Sequence, residues 1–350
     1  MDWKSFKSPE YNYRFNRKTG FFARWGRNFG ENPERSPFGP EIADIEISTI
    51  CEGVAGKLCP YCYKSNTEHG RNMSLSTFKT IIEKIDVNNQ LTQAAFGLGA
   101  TGEENPAIWD MCTWLRERNI VPNGTIANAS EKTMDRIADN FGACAVSNHF
   151  LSSDKGNGMC YDNVKRLTDR GMKQVNIHYV ISRETYENAF TVLRDIKEDP
   201  RLKCMHAIVF LSLKPKGRAM NNKFEQLSVD QFSKLIRTAL SMNINIGFDS
   251  CSFPKFSKAI EDLSDREKLL MIAEGCESFG RFSVYINVEG RCFPCSFCEG
   301  EPGWEEGIDV LSSDFIGDIW NGTKFEEGRM RLYTKGGECP VFMLDSQGNI

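Results

Sequence analysis

From residue 41 onward, short apolar runs alternate with amphipathic helical stretches, and this alternation constrains the fold more than any other feature of the chain. Strand-like runs fall at 42–50, 94–98, 121–127, 143–147, 174–181 and 206–211, and helical stretches at 75–85, 107–118, 132–140, 161–170 and 184–197. A further helix follows the last strand, where Phe232, Leu235, Ile236, Ala239 and Leu240 repeat at i, i+3, i+4, i+7 and i+8, one buried face. Repeated β-α units predict an α/β fold with a parallel sheet covered by helices. Six units suit an open, partial (β/α)6 barrel, and the same periodicity is compatible with a doubly wound sheet.

In parallel α/β folds, ligand-facing residues lie just past the carboxyl ends of the strands. Cys51 follows the first run, and the glycine-rich FGLGATGEENP, with Gly97, Gly99, Gly102 and Glu103, surrounds the end of the second. Ser147 and Asn148 close the fourth, Ser182 the fifth, and Lys214 to Arg218 (KPKGR) follow the sixth. The small and polar candidates are thus expected on one rim.

Cys51, Cys59 and Cys62 lie in the single run CEGVAGKLCPYC. Three thiolates at this spacing can hold three corners of a [4Fe-4S] cluster, whose full set is four, leaving one iron open to a reactant. The rival is a zinc knuckle, for which the only nearby fourth ligand is His69. The chain has 13 cysteines, and the N-terminus MDWKSFKSPE has no apolar signal segment. A reducing cytoplasmic setting is therefore expected, where cysteine enrichment points to metal or redox use rather than disulfides. Cys112, Cys144, Cys160 and Cys204 stand singly in helix or strand patterns and are expected as core filler.

The cysteine loop resembles that of the radical S-adenosylmethionine (radical SAM) enzymes, written in most members as C-x3-C-x2-C with an aromatic before the last cysteine. Tyr61 fills the aromatic position, while seven residues rather than three separate Cys51 from Cys59. The resemblance implies that the open iron chelates S-adenosylmethionine. Reductive cleavage then gives methionine and a 5'-deoxyadenosyl radical that abstracts a substrate hydrogen. It further implies that Gly99, Gly102 and Glu103 stand for the family's G-G-E-P segment, which binds the methionyl amino group, although Glu104 and Asn105 intervene before Pro106. Ser147, Asn148 and Ser182 would contact the rest of the cofactor; ordinary strand capping is the alternative for each. A reductant such as flavodoxin or ferredoxin is implied as partner.

From about residue 243 the alternation ends and a second cysteine group begins: Cys251, Cys276, Cys292, Cys295, Cys298 and Cys339. Thirteen residues separate Cys276 from Gly290, and four more precede Cys295. This is similar to the C-x9-15-G-x4-C core of SPASM and twitch extensions, which carry auxiliary [4Fe-4S] clusters in enzymes that modify peptides and proteins. The resemblance implies one auxiliary cluster on Cys276, Cys295, Cys298 and Cys339, with Cys251 and Cys292 as substitutes or ligands of a second, incomplete one. A structural zinc site built on Cys292, Cys295 and Cys298 is the rival. Sulfatase-maturing members place an Asp directly after the cysteine of G-x4-C; Ser296 stands there in this chain, so that activity is not implied.

The expected organisation is an N-terminal extension (1–40), a partial barrel (41–242) and a small cysteine-rich iron–sulfur domain (243–350). The net charge of -4 argues against a general polyanion binder. Residues 1–40 carry eight Lys/Arg against four Asp/Glu, interleaved with aromatics. Either they pack on the main domain or they offer a single-strand platform, which makes an RNA substrate one alternative. A zinc-stabilised binding protein without activity is another. No run approaches the length needed to span a bilayer.

Overall fold

The computed structural model describes residues 2–54, 56–335, 339 and 341. The chain divides into two compact units, one of Met1–Cys51, Glu68–Cys144 and Glu277–Met330, the other of Glu52–Thr67, Ala145–Cys276 and Arg331–Ile350.

The first unit opens with a three-stranded antiparallel sheet, β1 (Trp3–Phe6), β2 (Asn12–Asn16) and β3 (Phe22–Trp25). Side chains alternate across a strand, so Tyr11, Tyr13 and Phe15 all point one way. They are buried in a cluster with Val121 and Phe282. The aromatics of the N-terminal segment therefore divide: these three belong to a core, while Trp3 and Phe21 are exposed. Arg24 anchors the sheet from β3, with its guanidinium 2.8 Å from Glu41 and 3.6 Å over the Phe282 ring. Both ends of that ion pair are buried, and the Tyr11 hydroxyl donates to the same carboxylate.

The main sheet of this unit contains β4 (Ile42–Ile45), β5 (Gln93–Phe96) and β6 (Val121–Ile126), mutually parallel. In the other unit lie β7 (Cys144–Ser147, all but its first residue), β8 (Val175–Ile181), β9 (Ala207–Ser212) and β10 (Ile246–Phe248). β8, β9 and β10 are also parallel. Back in the first unit, β11 (Ser283–Ile286) pairs in parallel with the free edge of β4 and turns into β12 (Arg291–Phe293), which pairs with β13 (Ile308–Asp309).

Local chemistry fixes the helices where the sequence pattern puts them. Ser74 and Ser130 accept the third-residue N–H at the starts of Leu75–Ile85 and Glu131–Asn140, and Ser228 forms a full capping box with Gln231 at Val229–Ser241. Phe78, Ile81, Ile82 and Ile85 then recur on one face of the first helix and are fully buried. The six expected strands are present within a few residues. Features not expected include the N-terminal sheet, β13, and β10, whose three residues are too short for periodicity to reveal. Among the described residues no helix is long and apolar enough to cross a membrane.

Removing one partner of a buried ion pair leaves the other uncompensated. Arg24→Met is expected to lower stability by about 3 kcal/mol, read from urea unfolding monitored by tryptophan fluorescence. Lys at the same position should recover part of the loss, because it restores the charge without the planar stack on Phe282.

Candidate functional site

Past β4 the chain makes an excursion with a closed neck. Thr49 N–H donates to Arg71 O at 3.0 Å, Met73 N–H to Ile47 O at 2.9 Å, and Ser48 bridges Asn72. Gly70 is required at this neck, because a Cβ there would lie 2.6 Å from the Thr49 carbonyl carbon. The glycine-rich loop after β5 packs on the same neck. Asn105 donates to Ile47 O at 2.8 Å and to Met73 O at 3.0 Å, so it staples both sides together. Asn105 is one of the residues that depart from the family's G-G-E-P pattern, and this is its structural use.

Gly99 and Gly102 both have positive φ, at +86° and +75°. A Cβ on Gly102 would meet Trp109 Nε1 at 2.6 Å. Glu103 is exposed at the tip of this loop.

Within the excursion, Val54 and Lys57 exchange two backbone hydrogen bonds of 2.9 and 3.0 Å.

The Cys59–Cys62 segment is gripped by the KPKGR segment that follows β9. Arg218 Nε donates to Cys59 O at 2.9 Å, Nη1 to Asn66 O at 3.0 Å, and its backbone N–H to Cys62 O at 2.9 Å. Asn222 adds a bond to Pro60 O at 2.8 Å. Gly217, at φ +60°, lies so close that a Cβ would be 2.4 Å from Tyr63 O. Arg218 Nη2 is buried and has no partner. The sequence placed this segment on the rim without a role; a Gly-Arg pair just past a strand was the available signal.

Tyr61 is buried against Leu213 and Ala219 and stacks on His149 at 6.1 Å, with its hydroxyl 3.2 Å from both Asn148 O and His149 Nδ1. Burial pushes the Cys59 thiol up to about 12, against the opposing pull of the Tyr61 N–H. Burial likewise depresses His149 and His178 to about 4.

The remaining candidates in this unit are engaged from within. Asn148 is buried, bonding Asn157 Oδ1 at 3.1 Å and accepting the Phe150 N–H at 3.1 Å. Ser182 is fully buried, and its N–H donates to Thr185 Oγ1 at 2.8 Å. Ser147 is half-buried at the end of β7.

Among the C-terminal cysteines, Cys295 and Cys298 in the first unit have sulfurs 3.5 Å apart. Hydrogen bonds from Cys298 hold the Cys295 thiol down to about 7 despite burial, aided by the Phe297 N–H and Ser278. Both C-x2-C segments form the same turn, with the last cysteine's N–H donating to the first one's carbonyl, at 3.4 Å for Cys62 and 3.1 Å for Cys298. Cys292 is sealed in the β12 ladder, where burial raises its thiol well above the ordinary range. Cys276 is buried, and Cys251 and Cys339 are half-buried, all three in the other unit. Among the described residues no group of three or more His, Cys, Asp or Glu converges tightly enough to hold a single metal ion.

Comparison with protein-family models and with curated proteins gives no match. Among solved structures, the chain is similar to BtrN in complex with AdoMet and 2-DOIA at 12% identity, over 85% of this chain and 89% of that one, with a TM-score of 0.42. It is similar to methylornithine synthase (PylB) at 10% identity, over 60% and 65%, with a TM-score of 0.45. A spore coat polysaccharide biosynthesis protein, spsE from Bacillus subtilis, aligns at 11% identity over 99% and 78%, with a TM-score of 0.37.

Because His149 and His178 titrate near 4 when folded and near 6.5 when unfolded, the unfolded chain binds more protons between those values. Stability should therefore fall as pH drops from about 6.5 to about 4. His149→Phe keeps a ring against Tyr61 and should flatten part of that slope in urea titrations at stepped pH.

Proposed function

We propose that the chain is a radical SAM enzyme that modifies a peptide or protein, with its catalytic [4Fe-4S] cluster on Cys51, Cys59 and Cys62. The observation that carries this reading is the grip of Arg218 on the cysteine segment. Three of its groups hold the loop backbone, while Nη2 is left buried without an acceptor beside Cys59. A buried guanidinium N–H is costly without a partner, and an anionic group bound at these thiols would supply one.

The donor set fits such a group. Cys59 holds its proton in this enclosed setting and would release it to a metal, as thiolate ligation requires. When bound and reduced, the cluster supplies the electron that splits S-adenosylmethionine into methionine and a 5'-deoxyadenosyl radical, which takes a hydrogen from the substrate.

The chain's own residues do the positioning. Arg218 and Asn222 fix the carbonyls of Cys59, Pro60, Cys62 and Asn66 before any ligand arrives. Gly99 and Gly102 free the backbone for close approach to the cofactor, and Glu103 presents an exposed carboxylate for its amino group. Ser147 is the rim contact that remains accessible, while Asn148 and Ser182 act from behind by shaping their loops. A partial barrel, an auxiliary cluster on Cys276, Cys295, Cys298 and Cys339, and reduction by a flavodoxin or ferredoxin complete the proposal. The N–H and hydroxyl donors around Cys295 support a metal-bound thiolate there.

One observation favours a second reading for the C-terminal group. The Cys295–Cys298 sulfur separation of 3.5 Å suits one tetrahedral ion, since Zn–S bonds of about 2.3 Å put sulfurs about 3.8 Å apart.

Metal analysis of anaerobically reconstituted protein separates the readings. Two clusters give about eight irons per chain, falling to about four when Cys51, Cys59 and Cys62 are all changed to Ala. About four irons and one zinc would assign zinc to the C-terminal group. With dithionite and S-adenosylmethionine, the wild type should release 5'-deoxyadenosine slowly and Cys59→Ala none. Equal release from both would remove the loop from the reaction.

A further inference from the structure

Lys214 opens the KPKGR segment that grips the cysteine loop, and its side chain is only 1% exposed. Lysine is almost never buried without a partner. Here Nζ donates to Asp249 Oδ2 at 2.7 Å and to Ser212 O at 2.9 Å. Asp249 follows β10 directly and lies in the same unit, 35 residues further along the chain. Its other oxygen accepts the Ser212 N–H at 3.2 Å and the Ser252 hydroxyl, and its own N–H donates to Phe210 O at 3.2 Å. Both backbone groups of Ser212, the last residue of β9, are thus held by one ion pair.

The hold continues toward Arg218. Leu213 N–H donates to Ile181 O at 3.1 Å, and Gln226 donates to Leu213 O at 2.7 Å. Lys216 N–H turns back onto Lys214 O at 2.8 Å, and the Pro215 ring stiffens the backbone between them. Gly217 follows at φ +60°, and Arg218 comes next with its bonds to Cys59 O, Cys62 O and Asn66 O. Only three residues separate Lys214 from Arg218, so a shift at the ion pair is passed on to the guanidinium.

Stability alone does not account for such a pair. Exchanging a buried ion pair for uncharged side chains of similar volume is often neutral or favourable, because the desolvation of two charges offsets their attraction. What short charge-assisted bonds add is direction: they hold the chain that carries them in one geometry. That chain is the arm leading to Arg218.

We propose that Lys214 and Asp249 are positioning residues that act through Arg218. They aim the short arm so that the carbonyls of Cys59, Cys62 and Asn66 are held in place before any ligand arrives; on the radical SAM reading above, this presets the seat of the catalytic cluster.

The test removes both charges and keeps the shapes by combining Lys214→Met with Asp249→Asn, whose amide still offers an oxygen to the Ser212 N–H. Amide hydrogen exchange of the metal-free protein is read by mass spectrometry of its peptides. Exchange should quicken about tenfold over 59–66 and 212–218, the effect of losing one charge-assisted hydrogen bond on a local opening. The helix Val229–Ser241 and the urea midpoint should stay as in the wild type. Unchanged exchange over 59–66 overturns the proposal, and so does faster exchange everywhere with a lowered midpoint, which is the mark of a merely structural pair. If the double variant does not fold, Lys214→Met alone gives the same comparison with the same outcomes. Because the measurement needs no metal, a wild type that takes up no iron on reconstitution overturns the radical reading, while the exchange result still decides the positioning.

Discussion

An irregular loop has no ladder to satisfy its carbonyl oxygens, and buried carbonyls without donors are expensive. In the second unit this need falls on Arg218. Its side chain and backbone together take the carbonyls of Cys59, Cys62 and Asn66, and Asn222 takes that of Pro60. The grip requires Gly217 directly before it, since a Cβ would strike the carbonyls of Tyr63 and Cys62. The conformation of the Cys59–Cys62 segment therefore depends on a residue more than 150 positions away in sequence. Tyr61 secures the same segment from the other side through its ring and hydroxyl.

The first unit solves a parallel problem with an asparagine. A neck formed by two short backbone runs is a weak structure, and Asn105 ties both carbonyl edges with one amide. The glycine-rich loop is thereby fixed to the excursion it neighbours in sequence order only through the sheet. Gly99 approaches Ser48 closely enough that a Cβ would sit at 3.1 Å, so the two loops share a packed contact as well as hydrogen bonds.

Much of this architecture was legible in the residues. Six strands and their helices follow from period-two and period-3.6 patterns, and the Phe78, Ile81, Ile82, Ile85 face is read directly. The turn between β11 and β12 carries Gly290 at φ +78°, a conformation that favours glycine. What was not legible depends on long-range pairing. No local pattern announces that β11 runs parallel to β4, or that Tyr11, Tyr13 and Phe15 meet Phe282. The same holds around the cysteine loop: spacing revealed the cysteines, but Arg218, which holds the carbonyls of Cys59 and Cys62, and His149, which stacks on Tyr61, act through tertiary contacts.

The pairing of Val54 with Lys57 is a local closure within a long loop. Its two backbone bonds close locally, and Gly53, at φ +83°, redirects the chain just before it. Lys57 reaches out to Asp154 at 2.6 Å, an exposed pair that contributes little. A closure of this kind gives a protein engineer a port where a label or short peptide can be grafted without disturbing the carbonyls that Arg218 and Asn222 hold.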